Sequence, residues 1–130
     1  MSITMNECTK FVINGEPASK SNARKLVIVK GRKLFIKSKK ALDYVKEFEK
    51  QCPQLENLFT CDVRLEMIIY YKTRRPDLDE SLILDCMQGK IYLNDRQVKQ
   101  KHIYWGLDRE QPRSHIRVTP LETCSLPSDF

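Results

Sequence analysis

Between Cys61 and Tyr71 the chain alternates strictly: Cys61, Val63, Leu65, Met67, Ile69 and Tyr71 fall on one face. That is the period of two a pleated strand imposes. The opposite face starts polar, with Asp62, Arg64 and Glu66, and ends apolar, with Ile68 and Tyr70. Such a strand needs cover along one whole side and on both sides of its second half. It therefore predicts a position deep in a sheet.

Shorter segments fit around it. Lys10–Asn14 reads as a strand stopped by Gly15 and Pro17, and Lys25–Val29 and Lys33–Lys37 read as a hairpin about Lys30-Gly31-Arg32. Ser38 is an N-cap for a helix from Lys39 to Gln51, ended by Pro53, with Leu42, Val45, Phe48 and Cys52 as its buried stripe. Glu80–Gln88 reads as a short helix closed by Gly89. Gln97–Trp105 and Ser114–Thr119 are two further strands, joined by a loop holding Gly106 and Pro112. Strands and helices so mixed predict an α+β fold: a single compact domain over residues 1–130 with one main mixed sheet and two helices. Its core spans about 11–118, with a frayed tail over 121–130.

With 130 residues the chain has room for one core rather than two. No apolar run is long enough to cross a membrane, and the first residues are too polar for a secretory signal, so a cytoplasmic location is expected. Five cysteines, an odd number with no C-x-x-C pair, read as reduced thiols rather than a disulfide framework or zinc site. His102 and His115 each sit beside an isoleucine in a predicted strand and read as surface or structural groups. Trp105 and Tyr104 read as core or contact residues before they read as base-stacking ones.

The net charge of +6 is concentrated: residues 1–40 hold ten Lys or Arg against two acids. This excess predicts a polyanionic partner, with contacts to phosphate. Lys20, Asn22, Arg24 and Lys25 lie in or beside a loop able to hold a DNA backbone.

Chemistry concentrates in Arg74-Arg75-Pro76-Asp77-Leu78-Asp79-Glu80, directly after the long strand. Pro76 keeps Arg75 out of helix, and in extended chain Asp77 and Asp79 point to the same side. Two such carboxylates repel unless a hard cation such as Mg²⁺ takes oxygen ligands from both. Arg74 and Arg75 beside them suit a phosphate. The plainer alternative is that the Asp-x-Asp pair caps the next helix. Asp85, on that helix, and Asp95, in a turn before the next strand, are further acids that a sheet end can gather.

The run from Arg74 to Glu80, followed by Leu84-Asp85-Cys86-Met87-Gln88-Gly89-Lys90-Ile91-Tyr92-Leu93-Asn94-Asp95-Arg96-Gln97-Val98, resembles the signature of the RusA-type Holliday-junction resolvases. Asn14-Gly15-Glu16-Pro17-Ala18-Ser19-Lys20 is similar to the opening element of that family. The resemblance implies a homodimeric endonuclease that uses Mg²⁺, or Mn²⁺ in its place, on four-way junctions or other branched DNA; many such enzymes are encoded by phages. It implies that Asp77, Asp79 and Asp95 are catalytic and hold metal, with Asp85 as a further metal-associated acid. Where related sequences carry a helix lysine, Ile83 stands here, and their Asp-Asp pair reads Asn94-Asp95. Lys72 and Lys90 are the candidates to replace that lysine. The rival readings are a nucleic-acid-binding protein without catalysis, and a flap or fork nuclease of the same fold.

Overall fold

The computed structural model describes residues 8–19 and 24–121. Along the chain run β1 (Thr9–Asn14), β2 (Arg24–Val29), β3 (Arg32–Lys37), α1 (Lys39–Gln51), β4 (Val63–Tyr71) and α2 (Ser81–Met87). A 3₁₀ turn at Asp95–Gln97 then leads into β5 (Val98–Leu107), and β6 (Arg113–Pro120) follows. The main sheet is mixed, in the order β1-β6-β4-β5: β4 is antiparallel to β6 and parallel to β5, and β6 is antiparallel to β1. β2 and β3 form a separate two-stranded sheet. This is the α+β architecture the segments predict.

β4 is central because its inward face is apolar from end to end. Val63, Leu65, Met67, Ile69 and Tyr71 are all buried, and each aliphatic side chain so enclosed contributes about 1.5–3 kcal/mol. They pack with Ile13, Phe48, Phe59, Ile83, Met87, Ile116 and Val118. Among the described residues no element covers the second face of β4. Ile68 and Tyr70 are only half-buried, and an open groove of about 480 Å³ runs between Val12, Ile68, Tyr104 and His115. The apolar end of that face is shaded instead by side chains: Tyr70 lies 5.6 Å from the His115 ring, with the Arg113 guanidinium 4.3 Å over its own ring.

Ser38 caps α1 as expected, its Oγ accepting from the Ala41 amide at 3.2 Å. Of the expected stripe Phe48 and Cys52 are buried and Val45 packs against the core, but Ala41 and Tyr44 complete it in place of Leu42, which is 47% exposed. The helix is turned so that Phe48 meets Phe11 of β1 edge-on at 6.4 Å and Tyr44 at 6.1 Å. Burying two aromatic rings outweighs burying one leucine. Gly106 is a strand residue, not a loop residue. It lies opposite Tyr70 in the β4–β5 register, where a Cβ would stand 2.6 Å from Tyr70 Cδ1. Among the described cysteines, Cys8, Cys52, Cys61 and Cys86 are all free.

Candidate active site at the carboxyl end of the central strand

β1 and β4 both run antiparallel to β6, so Asn14 and Tyr71 end at the same edge of the sheet. The acidic loop leaves β4 there, at the carboxyl end of a strand with a parallel neighbour, where open sheets tend to bind ligands. Glu16 arrives from the end of β1, and its carboxylate accepts from the Lys72 amide at 3.1 Å. Glu16, Pro17, Ser19, Lys40, Arg75, Pro76 and Asp77 line one polar pocket of about 190 Å³. The pocket thus holds two carboxylates and two cations, drawn from three separate stretches of chain.

The loop is held from beneath by two aromatic side chains. Tyr71 Oη accepts from the Asp79 amide at 3.2 Å, and Trp105 Nε1 donates to the Pro76 carbonyl at 3.2 Å. Burial pushes the Tyr71 hydroxyl above its ordinary value, and the charges of Asp79, Glu16 and Glu80 add to the rise. Asp77 is exposed. Asp79 is half-buried, its Oδ1 accepting from the Ser81 amide at 3.0 Å and from the Ser81 hydroxyl. Glu80 pairs with Lys101 of β5 at 3.3 Å.

Asp85 lies in the last turn of α2, and Asp95 opens the 3₁₀ turn that follows. Both act on the Tyr92 hydroxyl, whose value rises first through burial and then through Asp95 and Asp85. Tyr92 Oη donates to the Leu84 carbonyl at 2.7 Å, and Gln88 Oε1 accepts from the Asp95 amide at 3.2 Å. Asn94 caps the turn by accepting from the Arg96 amide at 2.9 Å, while Gln97 accepts from the Asn94 amide at 2.9 Å. Asp77 and Asp79 thus stand at the start of α2, and Asp85 and Asp95 around its end. Among the described residues no three His, Cys, Asp or Glu side chains converge as a metal cage. The donors at the loop are carboxylates without cysteine or histidine, a set that fits a hard cation such as Mg²⁺.

The other expected site residues fall as follows. Arg74 and Arg75 are exposed on the loop, and Arg24 and Lys25 begin β2. Lys20 and Asn22 lie outside the described residues. Lys90 Nζ is 3.5 Å from the Glu49 carbonyl, at the end of α1. His102 and His115 are exposed, and His115 Nε2 accepts from Arg113 Nε at 2.9 Å. Glu16 and Glu80 are not among the site residues expected from the sequence, and Lys40 is expected only as one of the basic residues between Lys20 and Lys40 that meet phosphate. The Gly15-x-Pro17 element was the signal for Glu16, because it ends β1 at the same sheet edge as β4.

The chain is thus a small α+β domain with an acidic, arginine-flanked loop at the carboxyl end of its central strand. The sequence profile of the family described as endodeoxyribonuclease RusA matches residues 14–119, and the chain belongs to that family. Membership implies a Holliday-junction-resolving endonuclease. No individual curated protein matches the chain. No helix among the described residues is long and apolar enough to cross a membrane.

Proposed function

We propose that the protein is a Mg²⁺-dependent crossover-junction endonuclease that acts as a homodimer in the cytoplasm and cuts four-way or otherwise branched DNA. The observation that carries this reading is the polar pocket shared by Asp77, Glu16, Arg75 and Lys40 at the carboxyl end of β4, in a chain that matches the RusA family over residues 14–119. Asp77 and Asp79, with Asp95 and Asp85, are the carboxylates assigned to metal. A bound Mg²⁺ or Mn²⁺ supplies Lewis-acid activation of water and of the phosphodiester. Arg74, Arg75 and Lys40 hold phosphate oxygens beside the carboxylates and offset their negative charge toward the DNA. Tyr71 and Trp105 fix the loop backbone, so the two aspartates meet the substrate in a set geometry. A two-fold dimer matches the paired cuts a four-way junction needs.

One observation favours the non-catalytic alternative: Asp79 Oδ1 already accepts from the Ser81 amide and hydroxyl at the start of α2, although the N-cap position itself is Glu80 and carries no side-chain cap bond. The test is a labelled four-way junction incubated with Mg²⁺, with Mn²⁺ and with EDTA. Paired cuts that disappear in EDTA are expected. Binding without cleavage in either metal would overturn the nuclease reading, and faster cutting of flaps or forks would change its substrate.

A further inference from the structure

Among the described residues, the β2–β3 hairpin makes its extensive contacts within itself. Its turn is built for tightness: Lys30 and Gly31 both have positive φ, 51° and 77°, as a type I′ connection requires. Two strands alone are marginal in water, yet this pair carries large apolar side chains in the open. The register sets Arg24 against Lys37, Leu26 against Phe35 and Ile28 against Lys33, and all six share one face. On that face Ile28 and Phe35 are each 71% exposed and Leu26 is 48% exposed. Every charged residue of the hairpin is a cation: Arg24, Lys25, Lys30, Arg32, Lys33 and Lys37.

An apolar strip bounded by cations at both ends fits a ligand that offers flat apolar surface between negative charges. Nucleic acid has that pattern only where its bases are unstacked, because a regular duplex hides the base faces. A second copy of the same face fits poorly, since an isologous contact sets cation against cation.

We propose that the Leu26–Phe35–Ile28 face docks on the unstacked bases of a DNA branch point, with Arg24, Lys33 and Lys37 on the flanking phosphates. This rests on the nuclease reading and deepens it, because it gives the protein a means to tell branched from linear DNA.

The test uses the full chain without divalent metal, a four-way junction carrying 2-aminopurine at the branch point, and a linear duplex of the same arm sequence. Wild type should bind the junction more tightly than the duplex and change the 2-aminopurine fluorescence. Phe35→Ala should weaken junction binding roughly 10-fold, within the range of aromatic–base stacking. It should also lose the fluorescence change and leave duplex affinity unaltered, and Phe35→Tyr should restore both junction signals. Equal weakening on junction and duplex, or no weakening, overturns the proposal. So does a Phe35→Ala protein that changes oligomeric state in sedimentation, which would make the face a protein contact. Wild type that cuts junctions while Phe35→Ala behaves identically overturns the hairpin assignment alone. Wild type that neither binds nor cuts junctions overturns the nuclease reading as well.

Discussion

Trp105 lies with its ring 6.0 Å from that of Tyr71, the two planes 24° apart, while its indole N–H reaches the Pro76 carbonyl at 3.2 Å. Tyr71 in turn accepts from the Asp79 amide. Two stacked aromatic rings on neighbouring parallel strands thus hold the loop on either side of Asp77. Trp105→Phe keeps the stacking and removes the bond. It should cost about 0.5–1.5 kcal/mol of stability and raise the Mg²⁺ concentration needed for half-maximal cleavage, with partial recovery at high metal. An unchanged metal requirement would show that the indole does not position the loop. Tyr71→Phe should behave in the same direction, because the Asp79 amide loses its acceptor.

Substituting the carboxylates separates chemistry from affinity. On the proposed metal assignment, Asp77→Asn, Asp79→Asn and Asp95→Asn should each abolish cleavage while junction binding persists, since each would remove a ligand and a negative charge facing phosphate. Gel-shift and cleavage assays on the same preparations check this. Full activity in Asp79→Asn would leave that residue as a hydrogen-bond acceptor for Ser81 and nothing more.

Gly106→Ala tests the open face of the sheet. The added Cβ would meet Tyr70 Cδ1 at 2.6 Å and Cε1 at 2.9 Å, and the Tyr70 ring is flanked by Arg113 and His115. Forcing the ring aside should cost about 1–3 kcal/mol, read as a lower urea midpoint. A midpoint equal to wild type would mean that Tyr70 swings into solvent at no cost.

The elements were legible because their signals are local. The alternation of β4, the Ser38 cap, the Lys30-Gly31 turn and Gly89 at φ 83° each act within a few residues. What the sequence hid depends on how elements dock. The rotation of α1 that exposes Leu42 follows from Phe48 meeting Phe11. The open second face follows from both helices lying on one side of the sheet, and no periodicity encodes that choice. The site shows the same split. The Asp77–Asp79 loop could be read from the chain, whereas the arrival of Glu16 and Lys40 beside Asp77 required the order of β1, β6 and β4.

The Glu66–Arg117 pair gives a pH dependence of known sign. Arg117 Nε donates to Glu66 Oε1 at 2.9 Å, and this bond holds the carboxyl below its ordinary value. A folded value depressed in this way means the stabilisation is complete above the unfolded carboxylate value of about 4.3. It is lost as pH falls through the folded value. Glu66→Gln should therefore melt below wild type at neutral pH, with the Tm gap closing in acid. A gap that stays constant into acid would show that the glutamate acts by packing rather than by charge.

The missing helix lysine is the remaining question of charge. Ile83 is fully buried, so its position on α2 faces the core and cannot present a cation to DNA. Lys90 ends at the Glu49 carbonyl, where a cation suits the negative end of α1. The Lys72 backbone amide is tied to Glu16, while its side chain is exposed. Arg75 and Lys40 line the same pocket as Asp77. A cation beside the scissile phosphate offsets charge that builds in the transition state, an effect often worth a few kcal/mol. Under single-turnover conditions at saturating protein, Arg75→Met should therefore slow cleavage more than Lys72→Met, Lys90→Met or Lys40→Met. Lys90→Met should cost less than about tenfold, or 1.4 kcal/mol, and should show instead as a lower melting temperature. A loss beyond tenfold in Lys90→Met, with Arg75→Met near wild type, would move the cation to the far end of α2, beside Asp85 and Asp95.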